Sequence, residues 1–142
     1  MALNILIFSI PDKLPAGMEQ AIAKLRKTRS KEECLRKAYE TIRKRFVGKK
    51  FYYATHPLDL FVTDLDRIWN QKKVLNCTTF NYLLRALLLK SGKFAEKDLK
   101  NRWTLVWNIS PHQYTEVNTG KRKVVVDLWG ASNGIPLGKY AR

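Results

Sequence analysis

The chain has 142 residues, enough for one domain of ordinary size and too few for two. With 45% apolar and 27% charged residues, 7 Gly and 5 Pro, it is neither collagen-like nor wholly disordered. Its apolar runs stop short of the roughly 18 residues that a membrane-spanning helix needs. Charge is the outlier: 27 Lys and Arg against 12 Asp and Glu give a net charge of +15, which favours an acidic partner such as nucleic acid, an anionic membrane or an acidic protein.

The two cysteines, Cys34 and Cys77, cannot build a disulfide scaffold, and no C-x-x-C spacing suggests a metal site. A reducing, intracellular (cytoplasmic) setting is expected. The apolar start, Met1 to Ile10, has no preceding Lys or Arg and no small-residue cleavage pattern, so it reads as a short buried strand rather than a secretory signal. Pro11 and Pro15 break it.

From Met18, apolar residues at Met18, Ala21, Ile22 and Leu25 have helical spacing. A second helix begins at a Ser30–Glu33 capping box, with Leu35, Ala38, Tyr39, Ile42 and Phe46 on one stripe and Cys34 beside it as a buried thiol. Lys24 to Lys50 carries twelve basic residues against Glu32, Glu33 and Glu40. Within it, Arg43, Lys44 and Arg45 are candidate polyanion ligands, although such a run also describes the solvated face of a helix. Phe51 to Pro57 reads as a strand or extended loop. Asp64 to Asn70 reads as a short helix with Thr63 as N-cap.

From Cys77 to about Lys90, Phe80, Leu83, Leu84, Leu87 and Leu88 give a strongly apolar helix face that Ser91-Gly92 ends. Trp103 to Ile109, Tyr114 to Val117 and Val124 to Leu128 read as strands, the last two joined by a turn at Asn118-Thr119-Gly120. Helices first and strands last predict one α+β domain over residues 1–142 rather than a parallel βαβ sheet. Lys121, Arg122 and Lys123 at that turn form a second candidate polyanion contact or an edge-protecting charge cluster.

Three residues point to chemistry. Cys77 opens a helix, where the dipole and unpaired N–H groups favour a thiolate and can hold an oxyanion. His112 starts a strand and can take and return the thiol proton. Asp127 follows Val124-Val125-Val126 and needs a partner for its charge, which the ring N–H of His112 would supply. Singly, each residue also has an ordinary structural explanation.

In order and context, residues 35 to 130 resemble the transglutaminase-like superfamily of papain-related thiol enzymes. The Cys opens a helix and Gly92 follows 15 residues later; His112, Tyr114, Glu116 and Val117 give the His-aromatic-Glu-hydrophobic strand; Asp127 follows 15 residues after His112. Leu65, Ile68 and Trp69 resemble the family's lead-in. Leu75 stands where the family often has Gly, Thr78 and Thr79 follow the cysteine, and Tyr114 replaces the commoner Trp. The resemblance implies Cys77 as nucleophile, His112 as general base and acid, and Asp127 as orienting acid. It implies no cofactor, and no acidic cluster suggests calcium. Beside the Cys77 N–H, an oxyanion donor is sought at Gln71, which has the offset of the glutamine in papain-like proteases, with the Trp69 indole as rival.

The expected activity is acyl transfer from a peptide or glutamine amide through a thioester, as a cysteine protease, amidase or transglutaminase-type acyltransferase, with hydrolysis favoured. The alternative is a basic binding module for nucleic acid or another polyanion on the same fold with an inactive site. His56 has no acid or cysteine nearby and reads as structural. Trp69, Trp103, Trp107 and Trp129 read as core or groove lining.

Overall fold

Apolar residues at helical period make the first half of the chain helical, and caps set the ends. The computed structural model describes residues 9–142, so nearly all of the strand expected over Met1 to Ile10 lies outside the described residues. Helix α1 spans Ala16–Arg26 and buries Met18, Ile22 and Leu25. Helix α2 spans Lys31–Arg45 and turns Cys34, Leu35, Ala38 and Ile42 inward. The Glu33 N–H donates to Ser30 Oγ at 3.1 Å, as the cap predicts. The return bond differs: Glu33 Oε2 accepts from the Arg29 N–H at 2.8 Å, one residue before the cap.

The segment expected to be extended, Phe51 to Pro57, is instead one helical turn, α3 (Tyr52–Thr55), followed by a 3-10 turn over Pro57–Phe61. Local bonds override the β preference of Phe-Tyr-Tyr. Tyr52 donates its hydroxyl to Asp59 at 2.6 Å, Thr55 Oγ1 donates to the Tyr52 carbonyl, and the His56 ring stacks on Tyr52. Helix α4 (Leu65–Gln71) starts one residue later than expected, because Asp64 rather than Thr63 caps it, accepting from the Asp66 and Arg67 N–H groups.

Helix α5 (Cys77–Lys90) has the expected bounds, but every residue from Thr78 to Leu88 is buried, so it is enclosed on all sides. It packs against α2 on one side and the sheet on the other. Its polar residues therefore need internal partners. Asn81 donates to the carbonyl and side chain of Gln113, and Arg85 pairs with Glu96.

Strands β1 (Leu99–Val106), β2 (Ser110–Asn118) and β3 (Lys123–Val126) form one antiparallel sheet in the order β1-β2-β3. β1 ends three residues before the expected Ile109. Trp107 and Asn108 both adopt left-handed backbone, with φ of 52° and 57°, and the Ile109 N–H closes onto the Val106 carbonyl. Two successive left-handed residues are what a tight hairpin with the sheet's twist requires. At the other hairpin, the Thr119 N–H donates to the Arg122 carbonyl and Gly120 has φ of 85°. β3 stops at Val126, and the short helix α6 (Leu128–Ser132) follows. The result is α+β: six α-helices among the described residues and a three-stranded antiparallel sheet.

Candidate active site

Cys77 is the first residue of α5 and is half-buried. Asn76 fixes that start: its Oδ1 accepts from the Thr79 N–H at 2.9 Å and from both threonine hydroxyls. A parallel bridge between Val47 and Val74 holds the preceding loop, with the Val47 N–H on the Lys73 carbonyl and the Leu75 N–H on the Val47 carbonyl. The first-turn N–H groups of Cys77 and Thr78 have no intrahelical acceptor. With the helix dipole behind them, they form an anion-binding corner beside the sulfur. Asn76 Nδ2 has no partner among the described residues and is shielded from solvent.

His112 is the third residue of β2, opposite Thr104 of β1, and is only 3% exposed. Its Nε2 lies 2.7 Å from Asp127 Oδ2, and Cys77 is close enough to interact with the ring. Burial opposes a charge on the ring, but the Asp127 carboxylate and Cys77 outweigh it and lift the imidazole from 6.5 to about 9. The Trp129 ring leans on the imidazole at 5.0 Å between centroids.

Asp127 does not lie in a strand. It is the residue after β3 and the N-cap of α6, where Oδ1 accepts from the Gly130 N–H at 2.8 Å. Oδ2 accepts from His112 and from the Ala141 N–H at 2.9 Å. Three donors around one buried carboxylate remove the penalty that its apolar context predicts. Gly130 is required here, since a Cβ would sit 2.5 Å from Asp127 Oδ2. The Ala141 donor is delivered by the segment after α6: the Gly138 N–H bonds the Val125 carbonyl, and Tyr140 stacks on Tyr114 at 4.2 Å.

Cys77 and His112 both line a cleft of about 440 Å³. One wall is the hairpin tip around Trp107 with Trp103 behind it; the other is the loop that carries Phe51 into α3. Tyr53 and Ser110 bridge the walls through their hydroxyls at 2.9 Å, and the Trp129 indole N–H donates to the Lys49 carbonyl at 3.3 Å. The cleft's lining is rich in aromatic residues and includes no Asp or Glu. No family model, curated protein or solved structure matches the chain.

The other candidates are placed elsewhere. Gln71 is exposed at the end of α4 and does not line the cleft. Trp69 is buried against Phe46 and Gly17, also away from the cleft. Of the polyanion candidates, Arg43 donates to the Ala131 carbonyl, Arg45 donates to the Trp69 carbonyl and covers its ring, Arg122 pairs with Glu32, and Lys123 lies 3.8 Å from Glu116. Lys44 and Lys121 alone of the six have no such partner among the described residues. His56 is exposed, and Cys34 is buried within 3.5 Å of the Ser91 hydroxyl. No group of three or more His, Cys, Asp or Glu that could hold a metal ion occurs among the described residues, and no helix among them is long and apolar enough to cross a membrane.

Sequence reasoning missed Phe51, Lys50 and Ala141 as parts of the site. A signal existed for the first two: Lys-Lys-Phe-Tyr-Tyr places cations beside aromatics. Nothing in the sequence marks Ala141, because its contribution is a backbone N–H.

Proposed function

We propose that the chain is a thiol acyl-transfer enzyme of the transglutaminase-like type, acting through Cys77, His112 and Asp127 on peptide or glutamine amides. One observation carries the reading: a cysteine at the start of a buried helix shares a cleft with an imidazole that a buried carboxylate holds at 2.7 Å. A proton held on that imidazole leaves the sulfur as the nucleophile.

The sulfur attacks the amide carbonyl carbon, and the oxyanion forms against the Cys77 and Thr78 N–H groups. The C–N bond breaks as His112 gives its proton to the leaving amine. Water then attacks the thioester, its proton passing to His112, and the C–S bond breaks to restore the sulfur. An amine in place of water gives a cross-linked product. Hydrolysis is the preferred outcome, because a cleft open to solvent does little to exclude water. Asp127 keeps the ring in the productive tautomer throughout.

The test is iodoacetamide alkylation across pH, mapped by mass spectrometry. Cys77 reacts quickly at pH 6 to 7, where an ordinary thiol, half-ionised near about 8.5, is slow. His112→Ala removes that reactivity, and Cys34 stays inert in both proteins. Ordinary thiol behaviour of Cys77 in the unmodified protein defeats the reading. A second reading, a polyanion-binding module, draws on the net charge of +15. Internal partners for four of its six candidate cations weaken it, and a gel shift with steep salt dependence is what it requires.

A further inference from the structure

Among the described residues, three that are not glycine have left-handed backbone: Phe51 at φ 60°, Trp107 at 52° and Asn108 at 57°. Asparagine tolerates this conformation, whereas a bulky aromatic there is an outlier. Glycine would make either turn without strain. Both aromatics line the cleft that holds Cys77, both are 60% exposed, and they come from opposite walls. Strained backbone gathers where ligands are gripped, and large exposed apolar side chains mark surfaces that bind.

Charge gives the second, independent observation. The charged side chains lining the cleft, apart from His112, are Lys49, Lys50 and Arg142, all cations. Lys50 Nζ sits 5.3 Å from the Trp107 ring centroid, and the Arg142 guanidinium lies over Tyr140 at 5.2 Å. None of the three has a carboxylate partner among the described residues, whereas Lys31, Lys37, Lys72 and Arg122 each do. The cleft thus joins an apolar lining to three cations that have no carboxylate partner among the described residues.

We propose that this cleft selects an acidic, aromatic peptide as acyl donor. Phe51 and Trp107 clasp a large apolar side chain next to the scissile carbonyl, and Lys49, Lys50 and Arg142 receive a carboxylate a residue or two away. The volume, about 440 Å³, lies at the lower end of ligand sites and admits a few residues rather than a folded surface. Cations with aromatics also suit single-stranded nucleic acid. A peptide is favoured because the thiol and imidazole within attack a carbonyl.

The orientation of the peptide rests on the acyl-transfer reading, but its binding is readable without turnover. The rate of Cys77 alkylation is followed in the presence of acetyl-Glu-Glu-Phe-amide, acetyl-Lys-Lys-Phe-amide, acetyl-Glu-Glu-Ala-amide or a thymidine hexanucleotide. The first slows alkylation by about fivefold at a concentration where the others slow it by less than about twofold. Lys50→Glu reverses the order of the glutamate and lysine peptides. Phe51→Gly and Trp107→Gly lose the protection, while their melting temperatures hold or rise because glycine relieves the left-handed strain. Equal protection by the acidic and basic peptides, protection that survives both glycine variants, or stronger protection by the oligonucleotide overturns the proposal. A free Cys77 that alkylates like an ordinary thiol defeats the acyl-transfer reading instead, and leaves the order of protection readable.

Discussion

Helix α5 and the mouth of the cleft lie next to each other and obey opposite rules. Along α5, every residue from Thr78 to Leu88 is buried, and Thr79, Asn81 and Arg85 find partners in Asn76, Gln113 and Glu96, although Arg85 Nε is left without one among the described residues. At the mouth, Phe51 and Trp107 are exposed and strained, and Lys50 rests on a ring instead of a carboxylate. Local preference and tertiary packing agree in the first region and conflict in the second. Conflict of this kind concentrates where a protein acts on something outside itself. Cys77 sits at the boundary, the first residue of the helix and part of the cleft lining.

The sharpest way to break this comparison is at the acid that joins the two regions. Asp127→Asn forces an amide NH₂ against a donor that now meets a carboxylate, and disturbs the imidazole tautomer. Alkylation of Cys77 at pH 6.5 falls by roughly a thousandfold, measured by mass spectrometry alongside circular dichroism to confirm the fold. Within the helix, Leu84→Ala leaves a cavity in a fully buried layer. It lowers stability by about 2–5 kcal/mol in urea unfolding. A smaller loss would mean that α5 is less tightly enclosed than its burial indicates.

The imidazole gives a pH signature. Its folded value of about 9 lies above the ordinary 6.5, so the folded state holds the proton more tightly. The resulting stability, on the order of 3 kcal/mol, is fully present below pH 6.5 and is lost as pH rises through about 9. Urea midpoints at pH 6 and pH 9.5 read it, and His112→Asn flattens the difference. Ala141→Pro is milder: it deletes one N–H from the Asp127 shell and lowers stability by about 1–2 kcal/mol, with a matching loss of Cys77 reactivity. The smallest effect has the opposite sign. Phe51→Gly raises stability by a few tenths to about 1 kcal/mol in thermal melts, whereas destabilisation would show that the ring supports the fold.

Residues whose side chains follow one period were legible in the sequence. Phe80, Leu83, Leu84, Leu87 and Leu88 fixed α5 and hence the place of Cys77, and the hairpin turn after Asn118 brought the end of β3, which Asp127 follows, beside the strand that carries His112. The apolar run Val124 to Leu128 concealed the end of β3, because what stops it is the Asp127 side chain capturing the Gly130 N–H, a bond that no period encodes. The alternation from Trp103 to Ile109 likewise passed through a turn, since Trp107 is an aromatic in a conformation that glycine or asparagine normally marks. The basic count from Lys24 to Lys50 was plain. That Arg43 and Arg45 spend their donors on backbone carbonyls was not, because those carbonyls are 88 and 24 residues away.

The bond from the Ala141 amide to Asp127 has a kinetic meaning. Backbone bonds from the Ile135, Gly138 and Lys139 amides hold much of the segment after α6 to carbonyl groups. Ala141 is tied to the same oxygen that holds the imidazole, and its proton exchanges only when its own bond to that oxygen opens. Deuterium uptake at this one amide therefore reads how often the segment after α6 lets go of Asp127, without any substrate present.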